Sequence, residues 1–170
     1  PTKSQLKGAS KDSVAPVMNE HGSIGMTEWA INNGVPADSF VDLGWVSNAR
    51  LPAILRESDV ALFPSRCEGG TNLVAMEAMA SGIPCILSQN TGHLDLIEAG
   101  NCYALTDQLS DQADPFWQTS SIDQIVEKLE LAYTDHQDRK NRADLGVVSM
   151  EKLSWDTQIE KLISKITDLL

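Results

Sequence analysis

Along the chain, short apolar or β-branched runs alternate with segments in which apolar residues recur every three or four positions. APVM, SFVDLG, DVALFP, IPCILS and NCYAL have the length and composition of strands. Three helical patterns lie between them. MTEWAINNG is closed by Gly34 and Pro36, and ARLPAILRES is entered through Ser47 or Asn48 with Pro52 in its first turn. NLVAMEAMAS is closed by Gly82 and Pro84, because a glycine just past the last turn with a proline soon after stops a helix. Strands alternating with helices predict parallel βαβ units. After Tyr103 the strands run out. Ile122, Ile125, Val126 and Leu129 repeat at helical spacing behind Ser120 and Ser121, and Ile159, Leu162, Ile163 and Ile166 do so behind Ser154. The polar, Asp-rich stretch from Thr106 to Thr119 reads as a surface loop. The expectation is an α/β fold: a Rossmann-like, doubly wound parallel sheet over residues 14–170, ending in C-terminal helices and preceded by a flexible leader, 1–13.

Composition narrows the partners. A chain of 170 residues with 42% hydrophobic content suffices for one domain with a core. The formal net charge of −11 and the absence of a basic cluster argue against nucleic acid or an anionic membrane surface and favour a small-molecule ligand. Cys67, Cys85 and Cys102 show no metal-ligand spacing and read as reduced thiols, assigned to packing in a cytoplasmic protein. No apolar run reaches the ~18 residues of a membrane span.

Open doubly wound sheets bind ligands beyond the carboxyl ends of their strands, so attention falls on the loop SRCEGGT after DVALFP. Paired Gly69 and Gly70 let a ligand approach the backbone, Thr71 or Asn72 can cap the next helix, and its free amides attract anions. Within that helix Glu77 sits in LVAMEAMA, a run without lysine or arginine that suggests burial on most sides. A buried, unpaired carboxylate costs several kcal/mol, roughly, so Glu77 needs donors: a ligand's hydroxyl pair, or backbone amides of a neighbouring loop. Arg66 either faces the ligand or pairs with Glu68, the ion pair being favoured. His93 either lines the pocket or faces solvent at a helix start, the second being favoured. Trp29, Trp117 and Trp155 read as core or docking residues, and Ser65 and Cys67 lack partners for nucleophilic catalysis.

With these residues in hand, the chain resembles the C-terminal half of GT-B nucleotide-sugar glycosyltransferases, in particular family 4, also called group 1. The resemblance rests on DVALFPS (Asp59 to Ser65), EGG (Glu68 to Gly70) and EAMASGIP (Glu77 to Pro84), and extends to FVDLGWV, TGHLDLI and SWDTQIEKL. It implies retaining transfer of a sugar from a nucleotide-diphosphate donor in glycan biosynthesis. Glu68 would be the catalytic carboxylate touching donor-sugar hydroxyls, and Glu77 would bind the ribose hydroxyls. The amides of Gly69, Gly70, Thr71, Asn72 and Leu73 would meet sugar and diphosphate, Arg66 could assist, and the turn Gly44, Trp45, Val46 would face the base. No metal or other cofactor is implied, and the chain has no Asp-x-Asp triplet. The family separates its two glutamates by eight positions; here they are nine apart, which predicts a bulged loop and bears on where Glu68 sits. The glycan, lipid or small-molecule acceptor is expected on a preceding domain that this chain lacks, so the chain reads as half a catalytic unit, with membrane association only through other parts. The alternatives are an epimerase-like protein or a non-catalytic doubly wound nucleotide-binding or signalling module. A receiver domain needs acidic residues clustered at strand ends, whereas Asp59 begins its strand.

Overall fold

The computed structural model describes residues 25–110 and 116–169. The 1–13 leader and the APVM strand lie outside the described residues. Two compact units part between Ser47 and Asn48.

In the first unit MTEWAIN forms helix α1 (Met26–Asn32), buried at Ala30, and Gly34 takes φ +90 just beyond its end. The SFVDLG run is not a strand. Phe40 is extended (φ −128, ψ 127), yet the run finds no ladder partner among the described residues and turns at Gly44, φ +59.

The second unit is built on three parallel strands, β1 (Ala61–Phe63), β2 (Cys85–Ser88) and β3 (Tyr103–Leu105), in the order β1-β2-β3. Ala61 pairs with Cys85, and Ile86 with Tyr103. Central β2 is buried at every position, which is why it reads as CILS without apolar–polar alternation. Its side chains alternate between two cores. Cys85 and Leu87 join Ala75, Ala78 and Met79 of helix α3 (Leu73–Ala80) and Met150 on one face. Ile86 joins Tyr103, Leu105 and Ala132 of helix α4 (Ile122–Thr134) on the other. A parallel sheet with both faces covered is the expected doubly wound arrangement. Between β1 and Ser47 lies the short helix α2 (Leu51–Leu55), which starts from Arg50 rather than Ser47 or Asn48 and has no side-chain cap.

The C-terminal half departs from expectation in two places. Two helical patterns become three helices, with α5 (His136–Lys152) between α4 and α6 (Trp155–Thr167). Helix α5 shows no apolar stripe because it buries Ala143, Gly146, Ser149 and Met150, mostly small residues that let backbones approach. A Cβ on Gly146 would already stand 3.4 Å from the Asn101 carbonyl oxygen and 3.7 Å from Met79 Cε. Arg142 fastens the helix by capping the Tyr103 ring at 4.3 Å while its Nε donates to Asp138 at 2.7 Å. The stretch expected to be a loop carries an antiparallel hairpin, β4 (Gln108–Ser110) with β5 (Gln118–Ser120). Its ladder is supported by polar contacts: Gln108 Nε2 donates to Ser120 Oγ at 2.8 Å, and Ser120 Oγ lies 2.7 Å from Ser88 Oγ. Helix α6 forms where expected, capped by Ser154, but among the described residues its stripe of Ile159, Leu162, Ile163 and Ile166 stays exposed, as does Trp155. Trp155 is therefore not a core residue. Trp117 lies in irregular chain just before β5, half exposed.

Candidate functional site

Strand β1 delivers the chain from Phe63 into residues 64–71, and Asn72 then caps α3 by accepting a bond from the Ala75 amide at 3.0 Å. The turn after β2 braces this loop with four successive residues. Asn90 Nδ2 donates to the Ser65 carbonyl at 2.9 Å, and Thr91 Oγ1 accepts from the Glu68 amide at 2.7 Å. Gly92 lies so close that a Cβ there would collide with the Gly70 carbonyl. His93 Nε2 stands 3.0 Å from Asn72 Nδ2. Thr91 holds φ +38, a left-handed conformation unfavourable for a branched side chain, and its hydroxyl, which accepts from the Glu68 amide, donates to Asn90 Oδ1 at 3.1 Å.

Glu68 is thereby held. Its Oε1 accepts from Asn72 Nδ2 at 2.9 Å and lies 3.7 Å from His93 Nε2, while the side chain keeps 24% exposure. His93, expected to face solvent, is instead fully buried, because its ring satisfies the Ser88 carbonyl at 3.0 Å on one side and Asn72 on the other. Arg66 does not pair with Glu68. Its Nε donates to Thr119 Oγ1 at 3.1 Å, and its guanidinium lies 5.1 Å from the Trp117 ring centroid, on the hairpin side of the loop. Gly69, Gly70 and Thr71 are exposed. A Cβ at either glycine would meet nothing within 4 Å, and neither has positive φ. Packing within the protein and backbone conformation therefore leave the pair unexplained, whereas close approach by another molecule would require it.

Glu77 overturns the expectation of burial. Helix α3 packs through Ala75, Ala78 and Met79, with half-buried Met76 against the same core; Leu73, Val74, Glu77 and Ala80 form its exposed face. The outer face is itself largely apolar, so composition concealed an ordinary one-sided helix. Glu77 opens on a cleft of about 300 Å³ between α2 and α3, lined also by Asn48, Leu51, Leu55, Arg56 and Ser81. Arg56 is the cation that sequence reasoning missed, since it comes from another helix. Neither it nor Glu77 makes a side-chain hydrogen bond or ion pair among the described residues. The turn of Gly44, Trp45 and Val46 belongs to the first unit. There the Gly44 amide donates to Asp42 Oδ1 at 2.8 Å, Trp45 is 90% exposed and Val46 half-buried.

An exposed glycine pair leading into a helix N-terminus suits an anion, and two carboxylates nearby in sequence suit hydroxyl donors. The chain is similar over 85% of its length to the crystal structure of Anabaena HepE in complex with UDP, with a TM-score of 0.66 and 17% identity, matching 36% of that chain. It is likewise similar over 89% of its length to the C-terminal domain of the Francisella tularensis glycosyl transferase group 1 family protein LpcC, with a TM-score of 0.56 and 20% identity, matching 64% of that chain. At such identities these likenesses establish the fold, the Rossmann-like half of a GT-B architecture. A Klebsiella pneumoniae protein, an uncharacterized 41.2 kDa protein in cps region, is 39% identical over 66 residues, which are 39% of this chain and 18% of that relative. The chain thus spans a minority of that relative's length. The family model for glycosyl transferases group 1 matches residues 24–118, a stretch that takes in the glycine pair, both glutamates and the bracing turn, and the chain belongs to that family.

Proposed function

We propose that this chain is the donor-binding domain of a retaining glycosyltransferase that takes a nucleotide-diphosphate sugar. The carrying observation is Glu77: a carboxylate without a side-chain partner among the described residues, on an exposed helix face, opening on a cleft beside Arg56. In this reading Glu77 accepts from the ribose hydroxyls and Glu68 from hydroxyls of the donor sugar. The amides of residues 69–73 receive the diphosphate at the α3 N-terminus. Stabilising the departing diphosphate is the main electrostatic task, and helix amides supply it without any Lys or Arg between Cys67 and Glu127. The diphosphate takes the acceptor's proton as it leaves, so neither a protein base nor a metal is invoked. Support comes from the UDP held by the Anabaena neighbour and from the family match. The acceptor binds a second domain of the complete enzyme, and glycan biosynthesis is the setting, in keeping with the relative in a cps region. Three free thiols support a reducing compartment such as the cytoplasm. Among the described residues no helix is long and apolar enough to cross a membrane.

Titration calorimetry with UDP, GDP and ADP, each alone and sugar-linked, tests this. One nucleotide should bind, and Glu77→Ala should weaken it tenfold or more, about 1.4 kcal/mol. Unchanged affinity in that variant removes the ribose role.

A further inference from the structure

We propose that buried His93 is a positioning residue that sets the orientation of Glu68 through the amide of Asn72; its functional meaning rests on the donor-site reading above. The hydrogen-bond inventory fixes the protons. Ser88 offers His93 a carbonyl, which only accepts, so Nδ1 carries the hydrogen in that 3.0 Å bond. Asn72 Oδ1 is committed to the Ala75 amide, so Nδ2 is the atom facing both other partners, and its two hydrogens go to Glu68 Oε1 and His93 Nε2. Nε2 must then be the acceptor, and His93 is the neutral, Nδ1-protonated tautomer. The chain runs from the end of β2 to the carboxylate: Ser88 carbonyl, imidazole, Asn72 amide, Glu68 Oε1.

Each link removes a freedom. Without the imidazole lone pair, one Asn72 hydrogen loses its partner in a largely enclosed setting, and the amide can rotate or flip to recover it. Rotation would release Glu68 and weaken the cap of α3 together. With the chain intact, one Glu68 oxygen is tied to Asn72 and the other stays available to a hydroxyl of the sugar. His93 itself has no exposure.

Two conservative variants separate positioning from bulk packing. In His93→Asn the side-chain amide overlays Nδ1 and can keep the Ser88 bond, but it is too short to reach Asn72. In His93→Gln the terminal amide reaches the Nε2 position and offers an oxygen to Asn72. Affinities for UDP, UDP-glucose, UDP-N-acetylglucosamine, GDP-mannose and ADP-glucose are compared with those of the bare nucleotides. The sugar's increment should fall tenfold or more in His93→Asn and recover to within about threefold in His93→Gln, with bare-nucleotide affinity within about twofold throughout. Equal increments in the two variants, or a parallel loss of nucleotide affinity, overturn the proposal. Should wild type bind none of these probes, the donor-site reading fails, and nitrogen NMR of the full chain decides the positioning alone. An unprotonated Nε2 with slowly exchanging Asn72 side-chain protons, lost in His93→Asn and retained in His93→Gln, upholds it. A protonated Nε2, or Asn72 protons indifferent to both variants, overturns it.

Discussion

Glu68 and Glu77 are nine residues apart and the protein treats them oppositely. Glu68 is tied down: its amide goes to Thr91, one carboxylate oxygen to Asn72, and His93 stands behind both. Glu77 hangs from a helix rail with no protein donor among the described residues, sharing its cleft with an equally unengaged Arg56. The difference matches the tasks proposed for them. A group facing the reacting sugar gains from preorganisation, because geometry fixed in advance costs nothing at the moment of reaction. A group gripping the ribose serves affinity and can remain hydrated until the ligand arrives.

The most drastic way to abolish the contrast is alkali, which undermines the sheet supporting both residues. Burial pushes the Cys85 thiol up from 9.0 to about 12, with Cys102 adding to the effect, and burial likewise pushes Cys102 up to about 11 despite nearby Arg142. An unfolded thiol ionises near its ordinary value. Stability is thus held below pH 9 and lost as the pH climbs through the folded values, by several kcal/mol on the order of one pKa unit per 1.4 kcal/mol. Urea midpoints should fall steeply between pH 9 and 11, with Cys85 and Cys102 resisting thiol reagents until unfolding; a flat profile contradicts this. Next in size, Gly92→Ala forces a methyl into the Gly70 carbonyl, and urea unfolding should register a loss of about 1–3 kcal/mol, as for overpacking elsewhere. Asn72→Ala removes the α3 cap and should cost about 1 kcal/mol by the same measurement, while also freeing Glu68. Glu77→Ala should be the quietest, within about 0.5 kcal/mol of wild type, because nothing in the protein leans on it. A large loss there would mean that Glu77 is structural and would erase the contrast.

Strands β1, β2 and β3 and the capped helix α3 were legible because a sheet covered on both faces leaves continuous apolar runs, and a glycine–proline stop leaves a sharp edge. Helix α5 was not, because Ala143, Gly146 and Ser149 pack by closeness rather than by greasiness and leave no apolar period. The hairpin stayed hidden for a related reason: Gln108 and Ser120 stabilise it by hydrogen bonds that no hydropathy pattern records. At the candidate site, the loop and both glutamates were singled out by their motif. Arg56 and His93 were not, since each reaches the site across the fold from a distant stretch of chain. The one local signal for His93 was its place in TGHLDLI, beside a glycine with no room for a side chain.

The grip of the post-β2 turn on Ser65, Glu68, Gly70 and Asn72 has a bearing on how such chains diverge. A loop moulded from outside can gain or lose a residue between its anchor points and still deliver the same functional group, as a cast fixes a limb whatever the slack in the sleeve. Separation along the polypeptide is then a poor ruler for recognising kindred sites. The mould, four consecutive positions on a different segment, is the better fingerprint to carry into distant relatives.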